Sequence, residues 1–309
     1  MGEHDQSLQG RGLSVQVIAV QREPALNLLR QNMPAGSQKK SGDKRLSKAE
    51  LEEIEDHLRL PVPLVYHIIR AEGNEELARP LGSLLWSGVA AGLSISMSVV
   101  VQGLLLQKLS ETPWRPLIVY FGYCTGFLIV VLGRLQLFTE NTITAVLPLL
   151  LQPSCRKFLL VARLWGIVLA ANLVGTLLFG FATRYLGIFT SEQIEAFLLV
   201  SRHFMEKGAL EMLLHGIPAG FLIAAMVWMI PSARGLEFFV IILMTYAIAL
   251  GNFSHVIAGS AEAFLLLAFG EIGAWKTVAG FLVPAFVGNV LGGTVLFTLL
   301  AYGQVREEL

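Results

Sequence analysis

Leu250-Gly251-Asn252-Phe253-Ser254-His255 interrupts a long apolar run, and Leu132-Gly133-Arg134-Leu135-Gln136-Leu137-Phe138-Thr139-Glu140-Asn141 interrupts another. The first break separates Phe238–Gly251 from Val256–Phe269; the second separates Leu117–Gly133 from Ala145–Leu151. Each follows a Leu-Gly pair, and the pairs lie 118 residues apart, close to one repeat of three membrane helices. Three crossings is an odd number, so a second copy enters the membrane upside down. Paired discontinuous helices in inverted repeats mark a binding path at the bilayer midplane. Irregular backbone at that depth survives only when buried in protein or facing a watery cavity. Both breaks are therefore expected to meet around a pore.

The flanking sequence supports a lipid-solvated body. The chain has 309 residues, 54% hydrophobic and only 15% charged, with 23 basic and 23 acidic side chains. Residues 1–80 carry half of those charges, leaving the remainder too apolar for an ordinary soluble enzyme or a disordered tail protein. No basic stripe suits a nucleic acid, so none is expected as a partner. Four further apolar segments, Leu81–Leu106, Phe158–Leu186, Ala209–Ile230 and Val278–Tyr302, complete six expected spans. The expected class is an all-α membrane protein. Residues 1–45 read as a flexible cytoplasmic arm, 46–80 as amphipathic cytoplasmic helices, 81–303 as the pore domain and 304–309 as a cytoplasmic tail. Ser47 and Glu50 form a capping box, and the piece Val65–Ala71 is expected to end at Gly73. The first 30 residues hold no continuous apolar stretch, so no cleavable signal is expected. Lys and Arg favour the loops on the side of the two termini, which places both in the cytoplasm.

Two cysteines, Cys124 and Cys155, make neither a disulfide framework nor a metal-type spacing, and no P-loop, HExxH or dinucleotide motif is present. No metal, cofactor or catalytic site is expected. His255 is the sharper signal, because an ionisable group at membrane depth is costly and so carries a functional reading. An anion entering an apolar throat loses hydration, which disfavours its charged form. An imidazole, with an intrinsic pKa of about 6.5, can relay the proton that neutralises it. Arg134 costs roughly 3 kcal/mol or more near the bilayer centre unless paired. Glu140 and Glu262 are its candidate partners in a charge network. The bland reading is a buried ion pair; the functional one is a fixed cation recruiting anions.

The sequence resembles the formate/nitrite transporter family. Leu137-Phe138-Thr139-Glu140-Asn141 is similar to that family's L-F-T-x-N loop, and Asn252-Phe253-Ser254-His255 stands where the family has its single pore histidine. Val287-Gly288-Asn289-Val290-Leu291-Gly292-Gly293 matches the G-N-x-x-G-G pattern of its last helix. The resemblance implies an aquaporin-like six-helix protomer, a homopentamer with one pore per subunit, and small monovalent weak-acid anions as substrates, passing alone or with a proton. It assigns Thr139, His255 and Asn289 to the substrate pathway. Tyr123, Phe127 and Ile248 are assigned to the constriction. It also implies a bacterial inner-membrane location. Arg134, Gly259 and Gly220 depart from the family pattern, which expects a small residue and two asparagines there. A pore for a small neutral solute, a non-transporting scaffold, and an intramembrane hydrolase using His255 and Glu262 are the alternative readings.

Overall fold

The computed structural model describes residues 60–309, so residues 1–45 and the Ser47–Glu50 capping box lie outside the described part. All regular structure in it is helical. The chain runs through α1 (Val62–Ala78), α2 (Leu81–Lys108), α3 (Arg115–Leu132), α4 (Asn141–Leu151), α5 (Cys155–Tyr185), α6 (Ser191–Phe204), α7 (Ala209–Ser232), α8 (Glu237–Leu250), α9 (Val256–Phe269) and α10 (Lys276–Val305). Five of these, α2, α3, α5, α7 and α10, are long and apolar enough to cross a membrane, whereas α4, α8 and α9 are apolar but short.

Local chemistry sets the boundaries. Pro61 is extended and Pro63 sits in the first turn of α1, where a missing N–H costs nothing. Rather than stopping at Gly73, as the sequence suggested, α1 continues to Ala78. Gly73 lies directly on the Thr144 carbonyl, where any Cβ would overlap it, so this glycine serves close packing and not termination. Ser154 caps α5 by accepting from the Lys157 N–H at 3.2 Å, and Thr190 with Gln193 forms a reciprocal capping box on α6. Gly270, at φ 77°, closes α9 in the left-handed region that favours glycine. Within α2, Ser96 turns its hydroxyl back onto the Gly92 carbonyl at 2.8 Å, where the helix is locally irregular.

Packing repeats itself between the halves. Gly92 of α2 faces Gly175 of α5, and Gly216 of α7 faces Gly288 of α10. Both helix pairs thus touch almost backbone to backbone, the contact that small residues permit within a bilayer. Gly220 belongs to the second contact: a Cβ there would overlap the backbone of Asn289. The outer faces are apolar, with Trp86, Phe239, Leu300 and Trp275 all strongly exposed. At one end of the bundle, α1 lies against the last turns of α10, with the Tyr66 and Tyr302 rings 6.2 Å apart and Val305 fully buried beside them. The described N-terminal helix and the C-terminus therefore share one end.

Candidate functional site

The two breaks are built alike. After α3, the Arg134 N–H bonds the Val131 carbonyl at 3.1 Å and the Leu135 N–H bonds the Val130 carbonyl at 2.9 Å. After α8, Asn252 bonds Ala249 at 3.0 Å and Phe253 bonds Ile248 at 2.9 Å. This is one Schellman closure used twice, 118 residues apart. The left-handed residue is Arg134 (φ 52°) in one and Asn252 (φ 46°) in the other, each directly after the glycine of its Leu-Gly pair. Asn adopts this conformation readily; Arg does so at a cost of about 1–2 kcal/mol.

Beyond each turn, a buried asparagine from another helix grips the non-helical strand on both sides of one residue. Asn289 of α10 donates to the Ser254 carbonyl at 2.8 Å and the Gly216 carbonyl at 2.9 Å, while its Oδ1 accepts from the Val256 N–H at 2.9 Å. Asn172 of α5 donates to the Gln136 carbonyl at 2.8 Å and the Gly88 carbonyl at 2.9 Å, while its Oδ1 accepts from the Phe138 N–H at 2.9 Å. The residues gripped are His255 and Leu137. Asn289 thus holds the loop with both amide hydrogens engaged, which makes it a positioning residue and leaves no N–H to offer a passing molecule. Asn172 was not singled out from sequence, although it precedes Asn289 by 117 residues, within one of the register set by the two Leu-Gly pairs.

His255, fully buried, is fixed at both ring nitrogens. As the cap of α9, its Nδ1 accepts from the Ala258 N–H at 3.1 Å, and its Nε2 lies 2.8 Å from Thr139 Oγ1. An accepting Nδ1 places the proton of the neutral ring on Nε2, so Nε2–H donates to Thr139. The Thr139 hydroxyl keeps its own hydrogen for another acceptor. Phe127, fully buried, sets its ring edge-on to the imidazole at 5.0 Å and packs against Tyr123 at 5.2 Å. A cavity of about 480 Å³ opens beside this group, lined by Tyr123, Ile248, Phe204, Gly259 and Glu262 and rimmed by Arg115 and His203. At Gly259 the Phe204 and Phe281 rings occupy the space a side chain would need.

The expected charge network takes a different form. Arg134 turns outward, its side chain 81% exposed, and meets Glu72 of α1 at 3.9 Å, not Glu140 or Glu262. The turn that ends α3 brings Arg134 out at the end of the bundle where α1 lies. Such a loose exposed pair contributes at most about 1 kcal/mol. Burial lifts the Glu72 carboxyl above the ordinary range, and Arg134 pulls it part of the way back. Gln136, also missed from sequence, ties the first break to α1: its Nε2 donates to Glu76 at 2.7 Å and its Oε1 accepts from Asn141 at 3.3 Å. Glu140 and Glu262 each keep one buried carboxyl oxygen without a hydrogen-bond partner. Among the described residues, no cluster of His, Cys, Asp or Glu is arranged to hold a metal ion.

With this geometry in view, comparison with known proteins is decisive. The sequence profile of the family described as formate/nitrite transporter matches residues 63–303. The chain belongs to the formate/nitrite transporter family. Within that family it is 39% identical over 260 residues to the inner membrane protein YfdC of Escherichia coli (strain K12), covering 84% of each chain. It is 27% identical over 238 residues to the uncharacterized transporter YrhG of Bacillus subtilis (strain 168), covering 74% of this chain and 88% of that one. Two solved structures share the fold. A pentameric formate channel with formate bound has a TM-score of 0.61 at 20% identity, covering 74% of this chain and 98% of that chain. An ion channel of the same family has a TM-score of 0.62 at 18% identity, covering 79% and 96%. This family member is thus a multi-pass membrane protein whose relatives are channels or transporters, not enzymes.

Proposed function

We propose that the chain conducts a small monovalent weak-acid anion of the formate or nitrite kind across the bacterial inner membrane, one path per subunit of a homopentamer. The observation that carries this reading is the Thr139–His255 contact at 2.8 Å, set against the Phe127 ring at the apolar narrowing. His255 Nε2–H occupies a lone pair of Thr139 and so aims the hydroxyl hydrogen away from itself. An anion losing its water on the approach to Phe127 takes up a proton that originates from hydronium in the cavity, crosses the apolar stretch as the neutral acid and accepts a hydrogen bond from that single O–H donor. It releases the proton where water returns. The positive ends of helices at the two breaks favour the anion's approach. Six crossings follow if α8 and α9 act together as one, in an aquaporin-like inverted repeat with α3 and α4 as its counterpart; the doubled turn and the doubled asparagine grip support that. Both termini are cytoplasmic in this reading, supported by the Lys and Arg bias and the shared end of α1 and α10. The cavity beside Tyr123 then faces the periplasm.

The experiment is uptake by proteoliposomes carrying the full chain, with formate, nitrite and hydrosulfide set against glycerol. The expected result is anion uptake that quickens as external pH falls, with no glycerol uptake. Glycerol uptake independent of pH, without anion uptake, would make it a neutral-solute pore. No uptake of any of them would favour a scaffold.

A further inference from the structure

Glu262, like Glu140, is a buried carboxyl that the Thr139–His255 pathway leaves unused, and of the two it is the one that lines the cavity. It stands on α9 two turns beyond His255, about 10 Å along the helix axis. The residue is 4% exposed, lines the cavity, and has a carboxyl oxygen, Oε2, that is buried and without a hydrogen-bond partner. Among the described residues no cation forms an ion pair with it, and the Lys207 ammonium is committed elsewhere: Nζ donates to Asn252 Oδ1 at 3.0 Å and lies 4.2 Å from the centre of the Phe204 ring. As a carboxylate, Glu262 would leave an unpaired charge in the wall of an anion path and repel what the path carries. As an acid it has one O–H donor in need of an acceptor, and an arriving anion supplies one.

We propose that Glu262 is a second pathway residue, a carboxyl that carries a proton at the cavity floor and hands it to a weak-acid anion before that anion reaches Phe127. This rests on the reading that the chain conducts such anions. In the transfer, the Glu262 O–H bond breaks and an O–H bond forms on the anion, leaving a Glu262 carboxylate and the neutral acid. The carboxylate recovers a proton from hydronium in the water of the open cavity. Lys207, at the adjoining recess, steadies the carboxylate during that interval. His255 is poorly placed for the same task, because protonating Nδ1 would set two donors, Nδ1–H and the Ala258 N–H, against each other.

Other ionisable groups share this end of the bundle and shape the response to pH. Tyr123 comes from α3, His203 from α6, and Arg115 with Glu111 forms part of the rim. Glu211 and His215 of α7 lie with Lys207 and Asn252 around an adjoining recess. Also packed against α9, α5 presents Thr176, which shares a hydrogen bond with Ser260, and further along Arg184 over the Phe269 ring.

The test reconstitutes the wild type, Glu262→Gln and Glu262→Asp with a pH-reporting dye inside the vesicles and imposes a formate gradient at two pH values. Glu262→Gln is expected to lower formate-driven acidification at least tenfold at the higher pH, and Glu262→Asp to restore part of it. Equal rates in the wild type and Glu262→Gln would overturn the proposal while leaving anion conduction intact. A wild type that moves no formate would instead sink the conduction reading. Infrared spectra decide Glu262 independently of flux, and of whether the Gln variant folds. A protonated-carboxyl band that shifts in Glu262→Asp supports the proposal, and its absence overturns it.

Discussion

Asn289→Ala is expected to lower the thermal midpoint of the purified protein more than any single side-chain truncation within the loop that carries His255. Asn289 is fully buried and makes three bonds, to Gly216, Ser254 and Val256. Removing it strands the Ser254 carbonyl and the Val256 N–H where water has little access, and takes a second partner from the Gly216 carbonyl. Each such orphan costs about 1–3 kcal/mol, so the sum is on the order of 3 kcal/mol or more. That puts the variant at the severe end of point substitutions. Asn289→Asp separates hydrogen bonding from mere volume. It keeps an acceptor for Val256 but sets a carboxylate oxygen against two carbonyls, so it should be no better than alanine. Tryptophan fluorescence during heating in detergent gives the readout. Anion uptake should fall in parallel, because the imidazole loses its fixed position. A midpoint within a degree or two of wild type would show that the loop stands without this grip.

Phe127→Ala should have the opposite effect on flux. If the ring were ordinary core, its loss would cost about 3–5 kcal/mol and merely impair the protein. Phe127 packs against His255 and Tyr123 next to a 480 Å³ cavity, so removing it should join that cavity to the space beyond the imidazole. The apolar stretch that forces an anion to be neutralised is then gone. Uptake should rise about tenfold, lose most of its dependence on pH, and extend to nitrate, the anion of a strong acid that the wild type is expected to reject. A variant that only unfolds sooner and carries less formate would remove Phe127 from the constriction.

Much of this was legible in the sequence, because membrane spans and their interruptions are local signals. Val256–Phe269 was read at both ends, and the 118-residue register of the Leu-Gly pairs reappears as a repeated backbone turn. Thr139 and His255 are brought into contact as the two-break reading required. What escaped depends on distant partners. Arg134 was placed at membrane depth from its apolar neighbours, yet the turn carries it to the bundle end, where its partner is Glu72, 62 residues upstream. Gly73 resembles a helix stop until the Thr144 carbonyl is found against it. Gly259 reads as a lost polar group until Phe204 and Phe281 are found occupying its place. Asn289 was expected to face the substrate, but its amide is consumed by backbone, and its counterpart Asn172 went unnoticed for want of a motif around it.

The most direct measurement is labelled-formate uptake at two pH values by proteoliposomes bearing wild type or His255→Ala, with the oligomer and thermal midpoint of each checked beforehand. The account expects wild-type uptake to quicken several-fold on acidification, and the variant to fold, assemble and lose at least nine-tenths of the rate, because Thr139 loses the donor that orients its hydroxyl. An alanine variant that takes up formate as fast as wild type, with the same dependence on pH, would contradict it.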